Sequence, residues 1–573
     1  MRLRFVLIST ALLALCAPAA RSQTKPAPPI PRLEKRGAVT QLIVDGKPWL
    51  SLAGELGNNT ASTAENVRPY WENLAKSNLN TVLVGVGWSW IEPEEGKFDF
   101  SSVDGVLRDA RSHNLRVVLL WFASWKNGTS SYAPLWVKRN WEKYPIARDK
   151  DGKGREILST LSAANREADA RAFAALMRHV REVDSATRTV IMVQVENEVG
   201  LLGDSRDRCK EANEAFAGPV PKELMDYLQK NKESLLPETR KLWDGAGGRT
   251  SGAWEEVFGK GAGADEAFMA WHYARYINRI VEAGKKEYPL PMFVNAWLVQ
   301  PQDKQPGDYP SGGPQDHNHD FWRAGAPLVD VLAPDIYLPN FAEIATRYSR
   351  GGNPLFIPET RGDAANVFYA VGQLNAQMFS PFGIERQAAA DTPLARAYDV
   401  LGQLTPLIME HQAKGTMKAV VVDANSPAQK VQMGNYIFHV SMSRGRGGAP
   451  PPTAAAPARA GGGAPAGAGQ AAPAGGGFGA QQAPARGYAI LIQAGPDEFW
   501  MAGAGVGMTA ESTVPGTPLA SLGAVREGSF EKGRWVVRRH LAGDDTGQGG
   551  GDRASLRLPA NPGILHVVMY NYR

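Results

Sequence analysis

At 573 residues, 43% of them apolar, the chain exceeds one ordinary domain and has the material for a large core. Its formal charge of +5 is small for that length and no Lys/Arg block stands out, which argues against nucleic-acid binding. Two cysteines, Cys16 and Cys209, exclude a disulfide framework.

Residues 1–22 read as a secretory signal. Arg2 and Arg4 form the basic start, Phe5–Leu15 the apolar run, and Ala20-Arg21-Ser22 a small-x-small cleavage site. The run is too short to span a membrane, so no stable insertion is expected. Leu15 occupies the place where a lipobox needs a small residue, so a secreted, periplasmic chain is expected rather than a lipoprotein. Residues 23–40 form a Pro-rich arm. Gln41–Val44 and Pro48–Leu50 flank Asp45-Gly46, a hairpin turn signal.

From there apolar strand runs alternate with helical stretches, the pattern of an α/β barrel or open sheet. Leu52-Ala53-Gly54-Glu55 is the first predicted strand, and Glu55 is open to two readings, a pocket residue or the partner of a buried Arg. Glu65–Ser77 is a predicted helix, Asn80–Val86 a strand, Val103–Ser112 a helix and Arg116–Trp121 the third strand. That strand runs into Ala123-Ser124-Trp125-Lys126-Asn127, a polar and aromatic cluster at a strand end. A charged loop (138–162) and the helix Arg166–Val183 lead to Val190–Val195, a buried strand that ends abruptly in Glu196-Asn197-Glu198.

Residues 206–263 read as an excursion, followed by the helix Ala267–Lys286 and strands over 291–297 and 329–337. Asp316-His317-Asn318-His319-Asp320 has no standard metal-site spacing, and no metal or cofactor is expected. Pro354–Thr360 repeats the form of Val190–Glu198, a short apolar run ending in Glu359. Ser380–Glu385 is expected to line the same mouth as a loop. Thr392-Pro393 opens a helix that closes near Gly415. Beyond it the pattern turns to β. Residues 443–487, nearly all Ala, Gly, Pro and Gln, read as a disordered insertion within it.

Strand ends face the functional cleft in such folds, and two facing carboxyls are what a glycosidase needs. The chain resembles glycoside hydrolase family 35, the β-galactosidase family of a large (β/α)8 clan, in the subset with a C-terminal β domain. The likeness rests on Val193–Glu198, on Trp88 with Glu92–Phe100, and on Pro358-Glu359. It implies a (β/α)8 TIM barrel over 41–425 and a smaller β-rich domain over 426–573. It also implies a retaining β-galactosidase with Glu198 as acid/base and Glu359 as nucleophile. Asn197 would hold the sugar 2-hydroxyl, and Tyr337 would hydrogen-bond the nucleophile. Glu55, Ser124, Trp125, Lys126 and Asn127 would contact the sugar. Glu196, on the opposite face of the strand, is expected to be structural. Family members carry Ala-Glu-Trp where this chain has Ala123-Ser124-Trp125, which weakens the case for galactose. The alternatives are another β-glycoside, such as a β-glucoside, or a catalytically silent glycan-binding barrel. The expected partner is a β-linked oligo- or polysaccharide; the oligomeric state is left open.

Overall fold

The computed structural model describes residues 28–443, 486–546 and 554–573. The signal (1–22) and nearly all of the Ala/Gly/Pro insertion lie outside these residues.

Eight parallel strands close into a barrel. They are β1 (Ser51–Glu55), β2 (Thr81–Gly87), β3 (Arg116–Lys126), β4 (Val190–Asn197), β5 (Met292–Ala296), β6 (Val331–Ile336), β7 (Phe356–Thr360) and β8 (Met378–Pro381). The expected TIM barrel is therefore the fold. The eighth strand falls on residues read as a loop: Ser380 and Pro381 are paired with the barrel, not free above it. The predicted helix over 65–77 is broken in two by a 3₁₀ turn at Arg68–Tyr70, where Pro69 removes a backbone donor. The charged loop after β3 contains a small hairpin, Ile146–Arg148 against Gly154–Leu158.

Every barrel strand gives apolar side chains to one inner cluster, among them Ala53, Leu83, Val118, Met192, Phe293, Val331, Phe356 and Met378. This plug fills the lumen. Below it, at the amino ends of the strands, Leu42 and Val44 join the cluster from the predicted hairpin, which pairs as Val39–Val44 against Lys47–Pro48. The arm before it is not simply extended: Arg32–Arg36 pairs antiparallel with Val39–Val44. A larger cluster lies between barrel and helices, including α1 (Ala163–Asp184) and α2 (Ala262–Glu287), which pack on each other.

Helix α3 (Ala364–Gln373) carries the barrel into the β region by packing on Met417–Asp423 and Arg486–Gln493. Helix α4 (Pro393–Lys414) is capped by the Thr392 side chain, which accepts from the Ala395 N–H, and stops at Gly415 in the left-handed region. Met417–Asp423, expected within the barrel unit, instead opens a six-stranded sheet, because its backbone pairs with Arg486–Gln493. A four-stranded sheet faces it across a second apolar core. Strands at Gln429–Met433, Val506–Ser512, Leu519–Glu531 and Ala554–Arg557 were not singled out from the sequence. Among the described residues no helix is long and apolar enough to cross a membrane.

Candidate active site

Above the apolar plug, at the carboxyl ends of the strands, the side chains turn polar. Strand β1 ends in Glu55, β3 in Lys126 and β4 in Asn197, and the last residue but one is Asn295 in β5, Asp335 in β6, Glu359 in β7 and Ser380 in β8. All are buried. Four carboxyls, Glu55, Glu198, Asp335 and Glu359, influence one another here, with the Lys126 ammonium beside them.

The end of β4 is bent to deliver its residues. Glu196 and Glu198 both take positive φ, 62° and 47°, a conformation that costs a non-glycine residue on the order of 1 kcal/mol or more. Hydrogen bonds from the neighbouring strand hold it. Both Glu196 oxygens accept from the backbone N–H groups of Ala123, Ser124 and Trp125, at 3.3, 3.1 and 2.7 Å. Behind Glu196 lies Asp169 of α1, which also accepts from the Trp121 indole at 2.9 Å. Burial, and then the charge of Asp169, drives the Glu196 carboxyl well above the usual range. The Glu198 N–H donates to Asn295 Oδ1 at 3.0 Å, and Asn295 Nδ2 donates to Asp335 Oδ2 at 2.6 Å. Glu198 is thereby fixed from both sides.

The Glu198 carboxyl is pushed up to about 7, first by burial and then by the charge of Glu359, with Lys126 and a contact to Asp335 opposing. The Asp335 contact joins two carboxyls and becomes a hydrogen bond only when a proton lies between them. Asp335 is itself raised by burial and by Glu359. On the other side of the mouth, the Tyr337 hydroxyl donates to Glu359 Oε1 at 2.7 Å. Glu359 Oε2 has no protein partner. Lys126 Nζ donates to Asn197 Oδ1 at 2.9 Å, which orients the Asn197 amide and leaves its Nδ2 buried without a protein acceptor. Both Glu55 oxygens are buried and without a protein donor, and burial followed by Glu359 raises its carboxyl well above the usual range. Of the two readings of Glu55, the structure brings it to the carboxyl cluster and gives it no Arg partner. The unanswered polar atoms of Glu55, Asn197 and Glu359 in one buried mouth are what a polyhydroxylated ligand would satisfy.

Two of the expected sugar contacts point elsewhere. The Ser124 hydroxyl donates to Asp169 Oδ2 at 2.5 Å and lies 2.8 Å from the Tyr276 hydroxyl of α2, away from the mouth. Trp125 is fully buried; its indole donates to the Leu158 carbonyl and its ring packs edge-on against Tyr273 and Tyr276. The cause is the register shift between Trp121 and Lys126, which breaks the alternation of β3. Asn127 stands exposed with φ 52° at a two-residue turn with Gly128, and its N–H donates to the Asn197 carbonyl. Asn295 and Asp335 were not singled out from the sequence. The signal was there, a polar residue late in an apolar strand run, the same signal that marked Glu198 and Glu359.

The Asp316–Asp320 cluster is absorbed by the protein. His317 pairs with Glu266 at 3.1 Å, Asp316 with Arg350 at 3.0 Å, and Asp320 accepts from the Leu236 N–H. Among the described residues no group of His, Cys, Asp and Glu is arranged to hold a metal ion.

Residues 61–258 match the glycoside hydrolase family 42 model, described as Beta-galactosidase, and residues 394–551 match a domain of unknown function. A β-galactosidase of Xanthomonas manihotis is 31% identical over 176 residues, 29% of this chain and 26% of that protein. The chain thus aligns with about a quarter of that relative's length. Among solved structures, a β-galactosidase from Rahnella sp. R3 is 16% identical with a TM-score of 0.42, covering 63% of this chain and 57% of that one. The β-amylase catalytic domain from Paenibacillus polymyxa is 12% identical with a TM-score of 0.40, covering 58% and 92%. Over the matched stretch the chain is similar to β-galactosidase-type glycoside hydrolases, and not to family 35 specifically.

Proposed function

We propose that the chain is a secreted retaining β-glycosidase, acting on terminal β-galactosides. The observation that carries this reading is the division of labour between two strand-end glutamates on one rim. Glu198 is raised to about 7, so it still holds a proton to give in neutral solution, while Glu359 takes a hydrogen bond from Tyr337 and keeps one oxygen open.

In the first step Glu359 attacks the anomeric carbon as the glycosidic C–O bond breaks, and Glu198 gives its proton to the leaving oxygen. In the second, Glu198 takes a proton from water, whose oxygen displaces Glu359 from the sugar. The open Asn197 Nδ2 would donate to the 2-hydroxyl, and Glu55 and Lys126 would receive and give hydrogen bonds to the remaining hydroxyls. The assignment to family 35 rests on sequence motifs alone, and export to a periplasm rests on residues 1–22 alone.

A second specificity has an observation in its favour. With Ser124 turned into the protein, β3 supplies Lys126 and no carboxylate to the mouth, so a β-glycoside other than a galactoside is the rival substrate. The test is hydrolysis of aryl β-D-galactoside, beside aryl β-glucoside, by the wild type and Glu359→Gln, with the product anomer read by proton NMR. Galactoside turnover that collapses by at least a thousandfold in the variant, with the β-anomer released first, supports the proposal. The α-anomer would reject retention. Faster glucoside turnover would move the specificity, and no turnover of either would leave a glycan-binding barrel.

A further inference from the structure

Seven of the eight strands bring a polar side chain to the mouth, and β2 does not. Its inward positions there are Gly85 and Gly87, and three aromatic rings occupy the space. A Cβ on Gly87 would stand 2.8 Å from the Trp90 ring and 2.9 Å from Tyr132, and one on Gly85 would stand 2.7 Å from Phe122. The rings pack edge-to-face in series, Phe122 to Tyr132 at 5.3 Å and Tyr132 to Trp90 at 5.5 Å between centroids. Glycine at both places is what admits them.

This apolar sector is continuous with the catalytic groups. Lys126 Nζ lies 4.9 Å from the Phe122 centroid and bonds Asn197, the neighbour of Glu198. At its outer end Trp90 and Tyr132 are only half-buried, and the Tyr132 hydroxyl donates to Asn59 Oδ1 at 2.6 Å, leaving the exposed Asn59 amide N–H groups as donors at the rim. An aromatic face bordered by amide donors suits a pyranose ring, which offers a C–H face to the ring and hydroxyls to its edge.

We propose that the Trp90–Tyr132 sector, with Asn59, is a subsite for the sugar ring adjacent to the one cleaved, so that a β-linked oligosaccharide is preferred over a simple glycoside. This rests on the glycosidase reading above. The test compares methyl β-D-galactoside with β-1,4-galactobiose as substrates for the wild type, Trp90→Ala and Trp90→Phe. Trp90→Ala is expected to lower kcat/KM for the disaccharide about tenfold, chiefly through KM, and to leave the methyl glycoside within about twofold. Trp90→Phe should recover most of the loss. An unchanged methyl glycoside rate also shows that the variant is folded. Equal losses on both substrates, or no loss on the disaccharide, would overturn the subsite. If the wild type cleaves neither, the glycosidase reading fails instead, and calorimetric titration with galactobiose then decides the subsite. Binding weakened by Trp90→Ala supports it; no binding at millimolar sugar, or binding indifferent to the substitution, overturns it.

Discussion

Glu198 sits in the mouth with a carboxyl that titrates near 7, and both rate and stability should follow its proton. As the acid it works only when protonated, so kcat/KM is expected to fall about tenfold per unit above pH 7. Glu359→Gln removes the neighbouring charge but not the burial. Carbon-13 NMR of labelled glutamate should therefore show Glu198 falling below 7 yet staying above its ordinary 4.5. Stability follows the opposite limb from a salt-bridged carboxylate. A carboxyl raised on folding binds its proton more tightly in the native state, so stability is full below about 4.5 and is lost as pH rises towards 7. Glu198→Gln removes this penalty, and Tm should rise at pH 8 with little change at pH 4.5. Tyr337→Phe deletes the 2.7 Å bond to Glu359 and is expected to lower kcat by about 10- to 100-fold, with Tm moved by no more than a few degrees.

At the scale of elements, the end of β4 depends on the loop that closes β3. Glu196 answers three successive N–H groups, so Glu196→Ala leaves buried donors unpaired and should cost about 3 kcal/mol or more in urea unfolding. Glu196→Gln, which keeps an acceptor, should cost clearly less. This arrangement also marks the limit of sequence reading. The strands that end in Glu198 and Glu359 were legible because an apolar run stopping at a carboxylate is rare without a purpose. Helix α4 was legible from Thr392, Pro393 and Gly415. Ser124 and Trp125 were misplaced because the family likeness and a polar cluster at a strand end carried both to the mouth, whereas the distant Glu196 carboxylate gathers their N–H groups and breaks the pleat. Strand β8 was missed because four residues ending in Pro381 carry too little pattern to separate strand from loop. Asp335 and Asn295 carried the same late-polar signal in their strands, but their link to Glu198 runs between strands and shows only in the fold.

For the whole molecule, the β region is built onto the barrel and not merely tethered to it. Ile490, Ile492, Ala502 and Ile564 belong to the same apolar cluster as the barrel helices, and a Cβ on Gly372 of α3 would stand 2.6 Å from Ile490. Arg486 pairs with Asp363 at the start of α3, and the Phe530 N–H donates to Gln403 of α4 at 2.9 Å. A chain ended at residue 425 would expose this surface and leave Met417–Asp423 without its partner strand. It is expected to aggregate, while the full chain unfolds in one calorimetric transition. The inner plug has a further consequence. Among the described residues the lumen is filled by side chains from all eight strands and floored by Leu42 and Val44, which closes the barrel opposite the mouth. On the glycosidase reading, a departing monosaccharide leaves by the way the next chain arrives, and traffic through the mouth is single-file. Accumulated product should compete with substrate, raising the apparent KM and leaving the maximal rate untouched.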